Sequence, residues 1–183
     1  MKKIALLGDS IRLLGYGRFV PDYLGKEYTV FQPEDNCRFA KYLLRSIFDY
    51  EQELKDCVAI HWNAGIWDCL ELFDDGAFTD IDEYVKTCVR IAQILKRFTP
   101  NIIFATTTPV RKPSEDPIRN ETISQYNEKV VKALIKEGMI INDLHGLLSG
   151  NIEEYISDDM LHLSENGAKT CAKRVASIIN ELS

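Results

Sequence analysis

The sequence has little that would support a metal centre or a phosphate cradle. It holds three histidines, His61, His145 and His162, and no H-x-H or H-E-x-x-H spacing joins any of them. It also lacks G-x-G-x-x-G and G-x-x-x-x-G-K, so no glycine-rich phosphate loop is written into it. Its five cysteines, Cys37, Cys57, Cys69, Cys88 and Cys171, are an odd number without a C-x-x-C pair. Cys57, Cys88 and Cys171 fall within apolar patterns and read as buried thiols, which suits a reducing compartment. Lys2-Lys3 ahead of Ile4–Leu7 resembles the start of an export signal, but Gly8-Asp9 interrupts the apolar run. No signal and no membrane span is therefore expected, and the cytoplasm is the expected address. A positive excess is missing too: 22 Lys and Arg stand against 28 Asp and Glu, giving −6 at pH 7. That balance offers no electrostatic ground for nucleic acid or an anionic membrane surface as a partner.

What is present is an ordinary globular composition, 45% hydrophobic and 27% charged, in 183 residues. One domain spanning residues 1–183 is expected, with no linker, repeat or low-complexity tract. Short apolar runs alternate with helical periodicity. Ile4–Leu7, Tyr28–Phe31, Cys57–Trp62, Ile102–Thr106 and Met139–Asn142 read as strands. Between them, residues 11–24 read as an irregular helix interrupted by Gly15, Gly17 and Pro21, and residues 39–54 as a helix capped by Asp35 or Asn36. Thr79 is expected to open the clearest amphipathic helix, through Tyr84, Cys88, Ala92 and Leu95 to Pro100. Asn120 is expected to cap the next helix, which Gly138 ends; Leu144–Leu148 suggest a short one, and Ser164 opens the last. Strands alternating with helices predict a three-layer α/β/α sandwich around a five-stranded parallel sheet.

In such a sheet every turn that follows a strand opens on the carboxyl edge, where open α/β folds place ligands. Gly8-Asp9-Ser10 follows the first strand, Asn36 the second, Asn63 the third and Thr106–Thr108 the fourth. Ser10 at a strand-to-helix turn would expose its hydroxyl there. A serine hydroxyl becomes a competent nucleophile only when a base takes its proton, and His162 supplies a candidate imidazole. Asp159, three residues earlier, can accept the other ring N–H and fix the tautomer. Read singly, Gly-Asp-Ser is also a capped turn and Asp-x-x-His a local turn; read together they make a catalytic constellation.

With these blocks the chain resembles the SGNH hydrolases, the GDSL esterase/lipase family, over nearly its whole length. Gly8-Asp9-Ser10-Ile11 is similar to the nucleophile block, with Ile11 where leucine is usual, and Asp159-x-x-His162 is similar to the Asp-x-x-His block. The resemblance implies a flavodoxin-like sandwich and cofactor-free, metal-free hydrolysis of a small-molecule ester or thioester through an acyl-serine. It assigns Ser10 as nucleophile, His162 as base and Asp159 as its partner. Two blocks depart from the family. Glu34-Asp35-Asn36-Cys37-Arg38 stands where a glycine N–H usually serves the oxyanion, leaving the Cys37 or Arg38 amide. Asn63-Ala64-Gly65-Ile66-Trp67-Asp68 stands for Gly-x-Asn-Asp. Aligning glycines there puts Trp67 in the asparagine's place, whereas aligning strand ends leaves Asn63 near it. The expected oxyanion donors are accordingly Ser10, Asn63 and Cys37, with Trp67, Asn36 and Arg38 binding substrate.

Asn63 also reads as a plain turn residue, and Trp67 as core. His61 within a strand reads as structural, His145 as a surface residue, and Asp9 as a brace for the turn. Cys37 beside the site could take thiol label. The loops 68–78 and 109–119 are expected to shape the substrate site. The altered oxyanion blocks keep open a non-catalytic acyl-ligand-binding relative of the same fold. An acyl-enzyme passing its group to an alcohol would make a transferase. Turnover separates these readings. An O-acetylated sugar is a substrate suggested by the family's habit alone.

Overall fold

In the computed structural model, which describes residues 1–73, 75–111 and 117–182, five parallel strands form one sheet. They are β1 (Lys2–Leu7), β2 (Tyr28–Phe31), β3 (Cys57–Asn63), β4 (Ile102–Ala105) and β5 (Ile140–Asn142), in the order β2-β1-β3-β4-β5. β1 pairs with both β2 and β3, so the order reverses beside it and its carboxyl end lies at the topological switch point.

The apolar runs do not alternate with polar residues because both faces of the sheet are covered. Ala5, Leu7, Ile60, Trp62 and Phe104 face one core layer; it is completed by α2 (Ala40–Asp49), α3 (Glu51–Leu54), α4 (Ile81–Leu95) and α5 (Asn120–Lys136). Ile4, Leu6, Ala59 and Ile103 face the other. There the cover is the segment after β1, then α6 (Leu144–Ser149), α7 (Ile152–Tyr155) and α8 (Glu165–Glu181). The expected sandwich of five parallel strands is the observed fold.

The segment after β1 is irregular, as its glycines and proline foretold. A π-helical turn over Ile11–Gly15 passes into a 3₁₀ turn over Tyr16–Arg18 and a single α-helical turn, α1, over Val20–Tyr23. The helix expected across residues 39–54 divides at Tyr50 into α2 and α3. α7 carried no clear periodicity and was not anticipated.

Three expected caps are replaced. Asp80, not Thr79, caps α4, accepting the Asp82 and Glu83 N–H groups at 2.9 and 3.2 Å. Asn120 leaves the start of α5 uncapped and exchanges two hydrogen bonds with the Val110 backbone, pinning the exit of β4. Neither Asp35 nor Asn36 caps α2; the Ala40 N–H donates instead to the Asp68 carboxylate at 3.0 Å, from the turn after β3. Ser164 does cap α8, its Oγ accepting from the Gly167 N–H at 3.0 Å. The five cysteines are all free and buried.

Candidate active site

Ser10 and His162 lie 152 residues apart in sequence and meet at the carboxyl end of β1, where Ser10 Oγ stands 2.9 Å from His162 Nε2. On the far side of the ring, Nδ1 stands 2.6 Å from Asp159 Oδ2. A carboxylate can only accept, so Nδ1 carries the proton and Nε2 is left to accept from the serine hydroxyl. Asp159 is held by its own turn: its Oδ1 accepts from the Ser157 hydroxyl at 2.7 Å and from the Leu161 and His162 N–H groups at 2.9 and 2.8 Å. Partial burial pushes the Asp159 carboxyl up, but these donors outweigh it and hold the group well below the usual carboxylate range. Met160 adopts φ +66°, which folds the turn tightly enough for both amides to reach that one carboxylate.

The turn carrying Ser10 rests on a buried polar network. Asp9 Oδ1 accepts from the Ile11 N–H at 2.9 Å and from Asn63 Nδ2 at 2.8 Å. The Tyr16 hydroxyl donates to Asn63 Oδ1 at 2.8 Å and lies 3.4 Å from His61 Nδ1, and His61 Nε2 lies 3.1 Å from the Asn142 amide nitrogen. Burial pushes His61 down to about 3, so it is a neutral member of the framework rather than a base. Gly8 is required at the close approach: at φ +154° a Cβ would fall 2.0 Å from Asn63 Oδ1.

Burial raises Asp9 to about 6 against the bonds from Asn63 and Ile11, and raises Asp68 to about 6 as well. Between about pH 4 and 6 the native state therefore binds protons that the unfolded chain does not, and stability falls as pH rises through that window. Each group carries on the order of 2–3 kcal/mol. Asp9→Asn keeps an oxygen for both donors, so its unfolding free energy measured by urea titration is expected to show roughly half the wild-type decline between pH 4 and 6. An unchanged decline would show that Asp9 does not titrate there.

A guanidinium ties this turn to the loop after β2. Arg12 is 1% exposed and donates to the carbonyls of Pro33 at 2.7 Å, Asp35 at 2.8 Å and Gly8 at 3.2 Å. Nothing in the sequence singled it out; the one available signal was an arginine within an apolar-flanked turn.

The two amides expected to complete the oxyanion site are engaged elsewhere. The Cys37 N–H donates to the Gly8 carbonyl at 3.1 Å, and Asn63 is 4% exposed within the network beneath the turn. Their expected role is corrected accordingly: Asn63 braces Asp9, and Cys37 closes the loop. Cys37 is itself 1% exposed with its thiol pushed up by burial, so it offers no ready site for label. Arg38 also departs from expectation, since its guanidinium lies 5.2 Å over the Tyr42 ring rather than lining the cleft. The Ser10 N–H stays at the open first turn of the helical segment, where amides have no intrahelical acceptor.

Ser10, His162 and Asn36 share a cleft of about 340 Å³ whose remaining lining is Leu14, Ile66, Trp67, Leu70, Ile118 and Leu161. Trp67 is thus a wall of the cleft, 37% exposed. Leu70 and Ile118 come from the two long loops, which are joined by a Glu71–Arg119 ion pair and by the Glu71 N–H on the Pro117 carbonyl at 2.7 Å. Asp74 and residues 112–116 of those loops lie outside the described residues. A larger groove of about 890 Å³ between α2 and α4, around Phe48, Ile94 and Phe98, contains none of Ser10, Asp159 and His162. His145 is half-buried on α6 and away from the cleft. Among the described residues no cluster of three or more His, Cys, Asp or Glu is arranged to hold a metal, and no helix is long and apolar enough to cross a membrane.

No protein-family model and no curated protein matches the chain. Solved structures do. A catalytic mutant of Axe2, an acetylxylan esterase from Geobacillus stearothermophilus, is 18% identical over 97% of this chain and 94% of its own, with a TM-score of 0.80. LAE5, an α/β hydrolase enzyme from the metagenome of Lake Arreo, Spain, is 18% identical over 100% and 96%, with a TM-score of 0.78. A lipase/acylhydrolase from Enterococcus faecalis is 15% identical over 99% and 96%, with a TM-score of 0.79. The chain therefore has, along its whole length, the α/β fold found in these esterase and acylhydrolase structures.

Proposed function

We propose that this chain is a GDSL-type serine esterase, a single domain of the SGNH hydrolase family that cleaves a small-molecule ester through an acyl-Ser10 intermediate without a metal. The observation that carries the reading is the unbroken line from Ser10 Oγ through the His162 ring to Asp159, at 2.9 and 2.6 Å. His162 takes the hydroxyl proton as Ser10 attacks the carbonyl carbon, and returns it to the departing alcohol. Water then enters, loses a proton to His162, and releases the acid. The His162 and Asp159 side chains are 28% and 51% exposed, so water reaches the base once the alcohol has left, which favours hydrolysis over transfer to a second alcohol. A non-catalytic binder would have no use for an assembled proton relay. Five free, buried thiols suit a reducing compartment, and the cytoplasm remains our reading of its location.

The acetylxylan esterase neighbours favour an O-acetyl sugar as substrate. The cleft favours a longer acyl chain: six of its nine lining residues are apolar and only Asn36 adds a polar group beside Ser10 and His162. Hydrolysis of p-nitrophenyl acetate, butyrate and octanoate, with and without chelator, separates the two. Two additional buried methylenes should raise kcat/KM for butyrate about tenfold over acetate, and chelator should change nothing. Acetate preferred over butyrate would favour the acetyl-sugar reading. Mass spectrometry after treatment with a fluorophosphonate should place the adduct on Ser10. A protein that hydrolyses none of the esters and takes no adduct is not a serine esterase.

A further inference from the structure

With Cys37 and Asn63 occupied, the Ser10 N–H lacks a second donor for the oxyanion of an ester's tetrahedral intermediate. We propose that Asn36 is a catalytic residue, its side-chain amide supplying that donor. The inference rests on the serine-esterase reading and adds a residue to it.

Asn36 lines the same cleft as Ser10 and His162. Its amide orientation is chemically fixed, because the Arg38 N–H, 2.9 Å away, can be met only by the oxygen. Nδ2 then carries two protons and has no partner among the described residues. A donor without a bond in the resting protein is what an oxyanion site requires, since its acceptor exists only during the reaction.

The loop is also held in advance of substrate. The residues on both sides of Asn36 are fastened to the turn bearing Ser10: Asp35 by its carbonyl to Arg12 at 2.8 Å, and Cys37 by its N–H to Gly8 at 3.1 Å. Donors placed beforehand need no reorganisation as negative charge develops, which makes them effective in the transition state. The departure of the sequence from the glycine usual at this block is then a replacement of a backbone donor by a side-chain donor.

The test compares Asn36→Ala and Asn36→Asp with wild type on p-nitrophenyl butyrate, together with inhibition by phenylboronic acid, which forms a tetrahedral, negatively charged adduct on the serine. Asn36→Ala should lower kcat by ~10²–10³ with KM within about threefold. Asn36→Asp keeps the acceptor for Arg38 but presents a carboxylate to the oxyanion, and should lose at least as much. The boronate inhibition constant should rise in both, while thermal unfolding of Asn36→Asp stays close to wild type. A loop merely loosened would instead raise KM and lower the melting temperature together. Active wild type with an Asn36→Ala variant within threefold of its kcat overturns this role and leaves the esterase reading standing. Wild type without turnover or fluorophosphonate adduct overturns both.

Discussion

Ser10→Ala is expected to lower ester turnover by ~10⁴–10⁶ while leaving the fold intact. The Ser10 hydroxyl makes one hydrogen bond, to His162 Nε2, and 6% of the residue is exposed, so its removal deletes the proposed nucleophile and strands only the partly exposed His162 ring. Circular dichroism should show a melting temperature within about two degrees of wild type, since losing one neutral hydrogen bond to a partly exposed imidazole costs only about 0.5 kcal/mol. His162→Ala should fall as far, and the double variant no further, because the two act as one unit. Turnover surviving at more than a hundredth of the wild-type rate in Ser10→Ala would remove the acyl-serine mechanism.

Asp159→Asn is expected to reduce kcat by ~10⁴ with KM nearly unchanged. An amide oxygen can still accept from Ser157, Leu161 and His162, so the turn keeps its shape. The other position becomes an NH₂ facing Nδ1, and two donors cannot face one another. The ring then takes the opposite tautomer, with its proton on Nε2, and can no longer accept from Ser10. Asp159→Ala should lose turnover and destabilise the turn as well, since the three donors to Oδ1 lose their acceptor. Steady-state kinetics beside thermal melts of both variants separate the chemical role from the structural one. Near-wild-type turnover in Asp159→Asn would show that Asp159 does not set the tautomer, and equal melting temperatures for Asn and Ala would show that the donors to Oδ1 do not hold the turn.

The fold and the hydrogen-bonded meeting of Ser10, His162 and Asp159 were legible in the sequence because each depends on a local pattern. Ile4–Leu7 is a continuous apolar run because both faces of β1 are buried, and the glycine after it marks where the chain must bend. Asp159 and His162 are three residues apart in one turn, so their pairing needs no knowledge of distant structure. The surroundings of the expected oxyanion donors were not legible in the same way. Whether the amide of Cys37 or of Asn63 is free depends on what lies across from it, Gly8 in one case and Asp9 in the other, and neither pairing has a sequence signature. The caps failed for a related reason. Asp68 serves α2 from another turn, and Asn120 is drawn off to Val110, so long-range partners outcompeted the local ones. The buried Arg12 has no sequence signature, because no carboxylate at helical spacing pairs with it and backbone carbonyls meet it instead.

Those carbonyls bear on how the molecule breathes. β2 is an edge strand, paired on one side only, and segments attached to an edge ordinarily open and close on their own with little free-energy cost. Here, releasing residues 33–37 would strip two of the three acceptors from a guanidinium that is 1% exposed and leave it charged in the interior. The strand and the loop behind it are thereby denied independent fraying. The amide proton of Cys37 should leave for solvent only in openings that also uncover the β1 turn, which makes the turn bearing Ser10 and the edge of the sheet a single cooperative unit.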